Sequence, residues 1–163
     1  MRKRKLGNSS LFVSEIAIGS INFGGKVDTS SAIKILDDAY EKGVNLVDTS
    51  EVYPTPFSKS TYGKTEQIVG KWIKNKNRES IVISTKAAGP GEFINWIRNG
   101  KSLHNLKNLR SAVEGSLKRL GTDYIDIFSL NWPDRGINSS DIFFEESKKH
   151  KGYSIEETSE ALL

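Results

Sequence analysis

The stretch Asn45-Leu46-Val47-Asp48-Thr49-Ser50-Glu51-Val52-Tyr53 decides the predicted fold. Leu46 and Val47 predict a short buried strand, and Asp48 stands where that strand ends. Tyr53 follows five positions later, on the loop that leaves the strand. In parallel α/β folds, the carboxyl ends of strands and the loops after them bind ligands. A carboxylate and a phenol at such an edge are candidates for proton chemistry, although this stretch alone is equally compatible with a turn Asp and a packed Tyr.

Strands and helices alternate along the chain on both sides of this stretch. Residues 3–14 predict a hairpin, and the apolar pattern then predicts strand, helix, strand, helix, strand, helix, strand. Such alternation is typical of parallel strands joined by right-handed crossovers. The four strands are predicted at residues 15–19, 44–47, 81–85 and 124–130, and the helices begin after Asp28, at Thr65 and after Ser102.

Polar side chains follow each of the four predicted strands: Ser20 and Asn22, Asp48 and Tyr53, Lys86, and Asn131. Because the carboxyl ends of parallel strands share one edge of a sheet, we expect these side chains to lie close together. A lysine beside the tyrosine would favour the phenolate and lower the phenol pKa, and the aspartate would keep the lysine charged. This set suits protonation of a carbonyl oxygen while hydride reaches the carbonyl carbon. No side chain supplies hydride, so a nicotinamide would have to do so.

Composition bounds the other classes of function. The chain has 163 residues, 36% of them apolar and 27% charged, which suits one domain. No apolar run approaches the roughly 18 residues that span a membrane, so we expect no membrane insertion. The net charge of +4 is interleaved with acidic residues, so we expect no nucleic-acid partner. The absence of cysteine fits a cytoplasmic protein, and His104 and His150, predicted to be solvated, lack metal-ligand partners at suitable spacing.

Six segments together resemble the aldo-keto reductase family. They are Lys5-Leu6-Gly7-Asn8-Ser9, Ile18-Gly19-Ser20, residues 45–53, Ser84-Thr85-Lys86, residues 116–126 and Trp132-Pro133-Asp134-Arg135. The resemblance covers residues 3–135 and, more weakly, 154–163. It implies an α/β fold, a (β/α)8 TIM barrel closed at the bottom by the N-terminal hairpin. It also implies NADPH bound in extended form at the top of the barrel.

The resemblance also assigns roles to individual residues. Asp48, Tyr53 and Lys86 match three of the four catalytic residues of the family, with Tyr53 as the proton donor. The fourth position is usually His and is Asn131 here. The resemblance implies cofactor contacts from Ser20, Ile21, Asn22, Asp48 and Asn131, and we predict that Trp132 contacts the substrate.

Asn131 leaves two functions open. The first is an NADPH-dependent oxidoreductase that reduces aldehydes or ketones, with a small-molecule carbonyl substrate. The second is an NADPH-binding regulatory subunit with little turnover, because the β subunits of voltage-gated potassium channels are similar in having Asn at this position. An amide can hold a carbonyl group by hydrogen bonding but cannot titrate.

Length raises a third alternative. Barrels of this fold run to about 250 residues, whereas this chain predicts the hairpin and only the first four barrel strands. A polar loop insertion is predicted at 136–153, followed by a helix that begins with the capping box at Ser154. We therefore predict that residues 1–163 form one NADP-linked oxidoreductase domain, truncated after strand four. An inactive half-barrel fragment and a homo-oligomer remain open alternatives.

Overall fold

The computed structural model of the chain describes residues 1–135 and 151–163. Most of the predicted loop insertion at 136–153 therefore lies outside the described residues. The predicted N-terminal hairpin is confirmed: β1 (Lys3–Lys5) pairs antiparallel with β2 (Phe12–Ser14). The turn between them contains Gly7, whose φ of 53° lies in the left-handed region that glycine adopts without strain.

Four parallel strands form the central sheet. They are β3 (Ala17–Gly19), β4 (Leu46–Asp48), β5 (Val82–Ala87) and β6 (Ile127–Leu130), and they lie in the order of the sequence. Gly19 pairs with Asp48, and Asp48 pairs with Ser84 on the next strand. This register brings the carboxyl ends of the strands to one edge, as the alternation of elements predicts.

Helices follow the strands and begin where the chain supplies capping side chains. They are α1 (Thr29–Glu41), α2 (Lys64–Ile73), α3 (Leu106–Leu120) and α4 (Ile155–Leu162). Asp28 caps α1, and the predicted capping box at Ser154 opens α4. The prediction that Ser102 caps the third helix is wrong. Asn105 accepts a hydrogen bond from the amide of Asn108 at 2.9 Å, whereas the Ser102 hydroxyl donates to the Ile97 carbonyl.

The two faces of the sheet differ in chemistry because side chains alternate along a strand. Val47 and Ile83 point toward the helices and belong to the largest buried apolar cluster, which includes Trp72 of α2 as the sequence predicts. Asp48 and Lys86 lie on the opposite face. The helix layer thus holds the hydrophobic core, and the other face of the same strands carries polar groups to the carboxyl edge.

Helices α2 and α3 pack closely because one position lacks a side chain. A Cβ atom on Gly70 would lie 2.5 Å from the carbonyl oxygen of Leu120. This approach brings Arg119 of α3 to Glu66 of α2, whose carboxylate is fully buried. No helix within residues 1–135 and 151–163 is long and apolar enough to cross a membrane.

Candidate active site

Asp48 and Lys86 form an ion pair at the carboxyl edge of the sheet. Lys86 Nζ lies 2.7 Å from each carboxylate oxygen of Asp48 and 2.8 Å from the carbonyl oxygen of Thr49. An ammonium group has three N–H donors, so these three acceptors use all of them. Ser84 also donates its hydroxyl to Asp48 at 3.2 Å. The pair is therefore fixed in orientation by groups on both strands.

Tyr53 lies beside this ion pair and is half-buried. The Nζ atom of Lys86 is 5.5 Å from the centroid of the tyrosine ring. Burial raises the pKa of Tyr53 above its ordinary value, and the negative charge of Asp48 raises that pKa further. The prediction that Lys86 lowers the phenol pKa is wrong, because Asp48 offsets the lysine charge. Tyr53 therefore stays protonated at neutral pH and is able to donate a proton.

Asn131 reaches the same edge from the end of β6. Its main-chain amide donates to the carbonyl of Ala87 at 2.8 Å, which continues the pairing of β5 and β6 by one residue. Its side-chain Nδ2 donates to the hydroxyl of Ser50 at 3.1 Å. That hydroxyl in turn donates to the carbonyl of Lys86 at 3.3 Å. The structure thus brings together Asp48, Tyr53, Lys86 and Asn131, as predicted from the strand ends.

The turn after β3 carries three predicted cofactor contacts. Ser20 is fully buried, and its hydroxyl donates to the main-chain carbonyl of Asp48 at 2.7 Å. The hydroxyl of Ser20 thus joins the ends of β3 and β4. Ile21 and Asn22 are exposed at the same edge. Contacts of these residues with a cofactor stay predictions.

Trp132 belongs to an aromatic cluster beside Tyr53. Its indole N–H donates to the carbonyl of Pro90 at 2.9 Å, and 5% of the residue is exposed. Its ring lies 5.8 Å from that of Phe93. A Cβ atom on Gly89 would lie 2.6 Å from the indole, so this position requires glycine. Trp132 packs tightly, and its contact with a substrate stays a prediction.

His104 supports the chain next to Asn131. The prediction that this histidine is solvated is wrong, since 1% of it is exposed. Its Nε2 lies 2.8 Å from the carbonyl oxygen of Trp132, and its main-chain amide donates to Asp134 at 2.7 Å. Burial lowers the pKa of His104, so the ring is neutral at pH 7. His150 lies outside the described residues.

Sequence reasoning missed a second carboxylate in the deciding stretch. Glu51 is fully buried and accepts two hydrogen bonds from Arg98, each 2.8 Å long. It also accepts from the amide of Ala88 at 2.6 Å and from the hydroxyl of Tyr62 at 3.0 Å. The available signal was an acidic residue inside an otherwise buried segment, which requires a cation elsewhere in the chain. Within the described residues, no group of three or more His, Asp or Glu side chains could hold a metal ion.

Comparison with known proteins agrees with this geometry. The family model described as the aldo/keto reductase family matches residues 15–162. Protein tas of Escherichia coli is 39% identical over 140 residues, which are 85% of this chain and 40% of that protein. Aldo-keto reductase YhdN of Bacillus subtilis is 32% identical over 140 residues, which are 82% of this chain and 39% of that protein. The chain thus spans about 40% of the length of these curated relatives.

Solved structures support the same assignment. The holo form of an aldo-keto reductase from Bacillus halodurans aligns with a TM-score of 0.64 and 32% identity. The alignment covers 91% of this chain and 44% of that one. The predicted fold class is confirmed: the parallel sheet and its helices form part of a (β/α)8 barrel. From its motifs, its site geometry and these matches, the chain belongs to the aldo/keto reductase family of oxidoreductases.

Proposed function

We propose that the full-length protein uses NADPH to reduce aldehydes or ketones to alcohols, with Tyr53 as the proton donor. One observation carries this proposal: Lys86 lies 2.7 Å from both oxygens of Asp48 and 5.5 Å from the ring of Tyr53. A donor phenol, a fixed cation and a carboxylate that keeps the cation charged meet at the edge where α/β barrels bind substrates.

The raised pKa of Tyr53 determines how these residues share the work. Tyr53 holds its proton at neutral pH and releases it only to an oxygen that is gaining negative charge. As the phenol gives up that proton, its oxygen gains negative charge. The nearby ammonium group of Lys86 stabilises this charge, and Asp48 holds the ammonium in place without moving.

The residues at this edge fit a nicotinamide cofactor. Ile21 and Asn22 are exposed there, and 37% of the Asp48 side chain is accessible. These groups offer an apolar surface, an amide and a carboxylate to one ligand. Bound NADPH would supply hydride to the carbonyl carbon. We assign its contacts to Ser20, Ile21, Asn22, Asp48 and Asn131, with Ser20 acting through the main chain that it holds.

The aromatic cluster suggests the kind of carbonyl compound. Phe57 and Phe93 stack with their ring centroids 6.0 Å apart, and both lie with Tyr53 and Trp96 around a buried apolar centre. We therefore propose a small, apolar carbonyl substrate. The site lies within one chain, so the proposal does not require a homo-oligomer, and the absence of cysteine supports a cytoplasmic location.

The test is the loss of NADPH absorbance when full-length protein meets a panel of aldehydes and ketones. Tyr53→Phe should reduce turnover by about 100-fold or more, the usual scale of a lost general acid, and should leave NADPH binding unchanged. Tyr124→Phe is the matched control, because Tyr124 stacks on Arg78 away from the site. Turnover that survives in Tyr53→Phe would refute the proposed proton donor.

A second function, an NADPH-binding regulatory subunit with little turnover, is favoured by the state of Asn131. Its amide cannot titrate, and it donates to Ser50 at 3.1 Å. Replacing Asn131 with His separates the two functions. Higher turnover in Asn131→His supports the reductase, whereas unchanged low turnover with intact NADPH binding supports the regulatory subunit.

A further inference from the structure

Glu51 is the most completely enclosed acid of the deciding stretch. Its side chain is 1% exposed, and each of its oxygens accepts one N–H of the Arg98 guanidinium. The amide of Ala88 and the hydroxyl of Tyr62 supply two further hydrogen bonds. A paired fork of this kind fixes direction as well as distance. The Glu51–Arg98 pair is therefore a rigid joint between two segments.

The joint connects the candidate active site to the segment of residues 89–101. Glu51 lies between Asp48 and Tyr53, and its amide donates to the carbonyl of Lys86 at 3.2 Å. Arg98 belongs to the segment that follows β5. Any movement of Arg98 thus acts on the backbone that carries the proposed proton donor.

The backbone of Arg98 shows that the joint is maintained against a local cost. Its φ and ψ are 47° and 37°, and Asn99 has a φ of 55°. Residues with a Cβ atom avoid this left-handed region, and surrounding contacts must hold them there. The fork to Glu51 supplies such contacts, together with a bond from Arg98 Nη2 to the carbonyl of Ala88 at 3.2 Å.

The segment of residues 89–101 packs directly onto the site. Ile94 and Ile97 are buried in the cluster that contains Trp132 and the ring of Tyr53. The segment is attached at two points: Pro90 accepts from the Trp132 indole, and Arg98 binds Glu51. Without the second attachment, the wall beside Tyr53 would be held at one end.

We propose that Arg98 is a positioning residue of the reaction, which through Glu51 fixes the loop of Tyr53 and holds residues 89–101 against it. Arg98 needs no contact with the substrate to do this. The catalytic part of the inference rests on the proposed function, whereas the positioning part does not.

The test compares Arg98→Met and Arg98→Lys in the full-length protein, with Arg110→Met as the matched control. Arg110 also pairs with a glutamate, Glu114, but their side chains are 77% and 67% exposed. Arg98→Met should speed amide hydrogen exchange in residues 49–57 and 89–101 by about 10-fold or more. Arg98→Lys keeps the charge but loses the fork, so it should give an intermediate change. Arg110→Met should change neither segment.

Steady-state kinetics with benzaldehyde as the probe adds a second readout. In Arg98→Met, kcat should fall by about 10- to 100-fold, the scale of a small misplacement of a reacting group. The Kd for NADPH should stay within about threefold, because the proposed cofactor contacts keep their neighbours. Glu51→Gln, which preserves shape, should reproduce both changes if Arg98→Met fails to fold.

Each alternative result is decisive. Faster exchange of residues 89–101 with unchanged exchange of residues 49–57 and unchanged kcat would overturn the proposal, as would a lower kcat with unchanged exchange. If the wild-type protein reduces no carbonyl compound, the proposed function fails by itself. The exchange of residues 49–57 then decides whether Arg98 positions the Tyr53 loop.

Discussion

Replacing Glu66 by Met should destabilise the protein far more than breaking a surface ion pair. Glu66 is fully buried and accepts from the hydroxyl of Thr85 at 2.6 Å and from Arg119 Nε at 2.5 Å. The side chain of Arg119 is 15% exposed. Glu66→Met would leave its guanidinium with the hydroxyl of Ser116 at 3.2 Å and the ring of Tyr62 at 5.0 Å.

The magnitude follows from the burial of both partners. Leaving one charge of a buried pair without its partner costs about 3–5 kcal/mol. Coulomb's law at an effective dielectric constant of about 20 gives about 4 kcal/mol for charges 4 Å apart, which agrees. The exposed Arg110–Glu114 pair on α3 should contribute only about 0.3–0.5 kcal/mol. Glu114→Met is therefore a control with the same chemical change.

Urea unfolding of the full-length protein measures both free energies. With a slope of about 2 kcal/mol per molar urea, Glu66→Met should lower the unfolding midpoint by about 1.5–2.5 M. Glu114→Met should lower it by about 0.25 M or less. The double variant Glu66→Met with Arg119→Met should recover about 2 kcal/mol or more, since it removes the unpaired charge. A loss below about 1 kcal/mol in Glu66→Met, or simple additivity in the double variant, would refute this account.

Three further outcomes are expected. Because burial lowers the pKa of His104, the unfolded chain binds its proton more readily below pH of about 6.5, so stability should fall with decreasing pH by up to about 1.4 kcal/mol per pH unit. His104→Gln should flatten that slope in urea unfolding between about pH 7 and 5. Gly70→Ala should cost about 1–3 kcal/mol by calorimetry, since its Cβ would lie 2.5 Å from a carbonyl of α3. Gly19→Ala, with open space around its Cβ, should change stability by less than about 0.5 kcal/mol. Lys86→Met should lower the turnover of a carbonyl probe by about 100-fold or more while NADPH still quenches protein fluorescence, and full turnover would contradict the role of Lys86.

The strand ends could be predicted from the sequence because their signals are local. Short apolar runs end at Asp48, near Lys86 and before Asn131, and parallel pairing then brings these positions to one edge. Capping was predictable at Asp28 for the same reason. The start of α3 was not, because Ser102 and Asn105 are both good capping residues. Tertiary contacts decide between them, since the hydroxyl of Ser102 donates to Ile97.

Properties that depend on distant partners could not be predicted. The pKa of Tyr53 depends on whether Asp48 or Lys86 acts on it more strongly. The answer follows from the burial of the phenol and from the 2.7 Å contacts between residues 38 positions apart. His104 presented a similar problem. Its neighbours in sequence are polar, whereas its burial comes from Trp132 and Asp134, about 30 residues away.

Two acids of the deciding stretch illustrate how burial separates chemistry from positioning. Asp48 and Glu51 are three residues apart, and each is paired with a cation that lies on or after β5, Lys86 and Arg98 respectively. The side chain of Asp48 is 37% exposed, so a ligand is able to reach its pair with Lys86. The side chain of Glu51 is 1% exposed and has four donors, so its pair is closed to ligands. The accessible pair is therefore suited to act on Tyr53 during the reaction, and the sealed pair is suited to hold the loop on which Tyr53 lies.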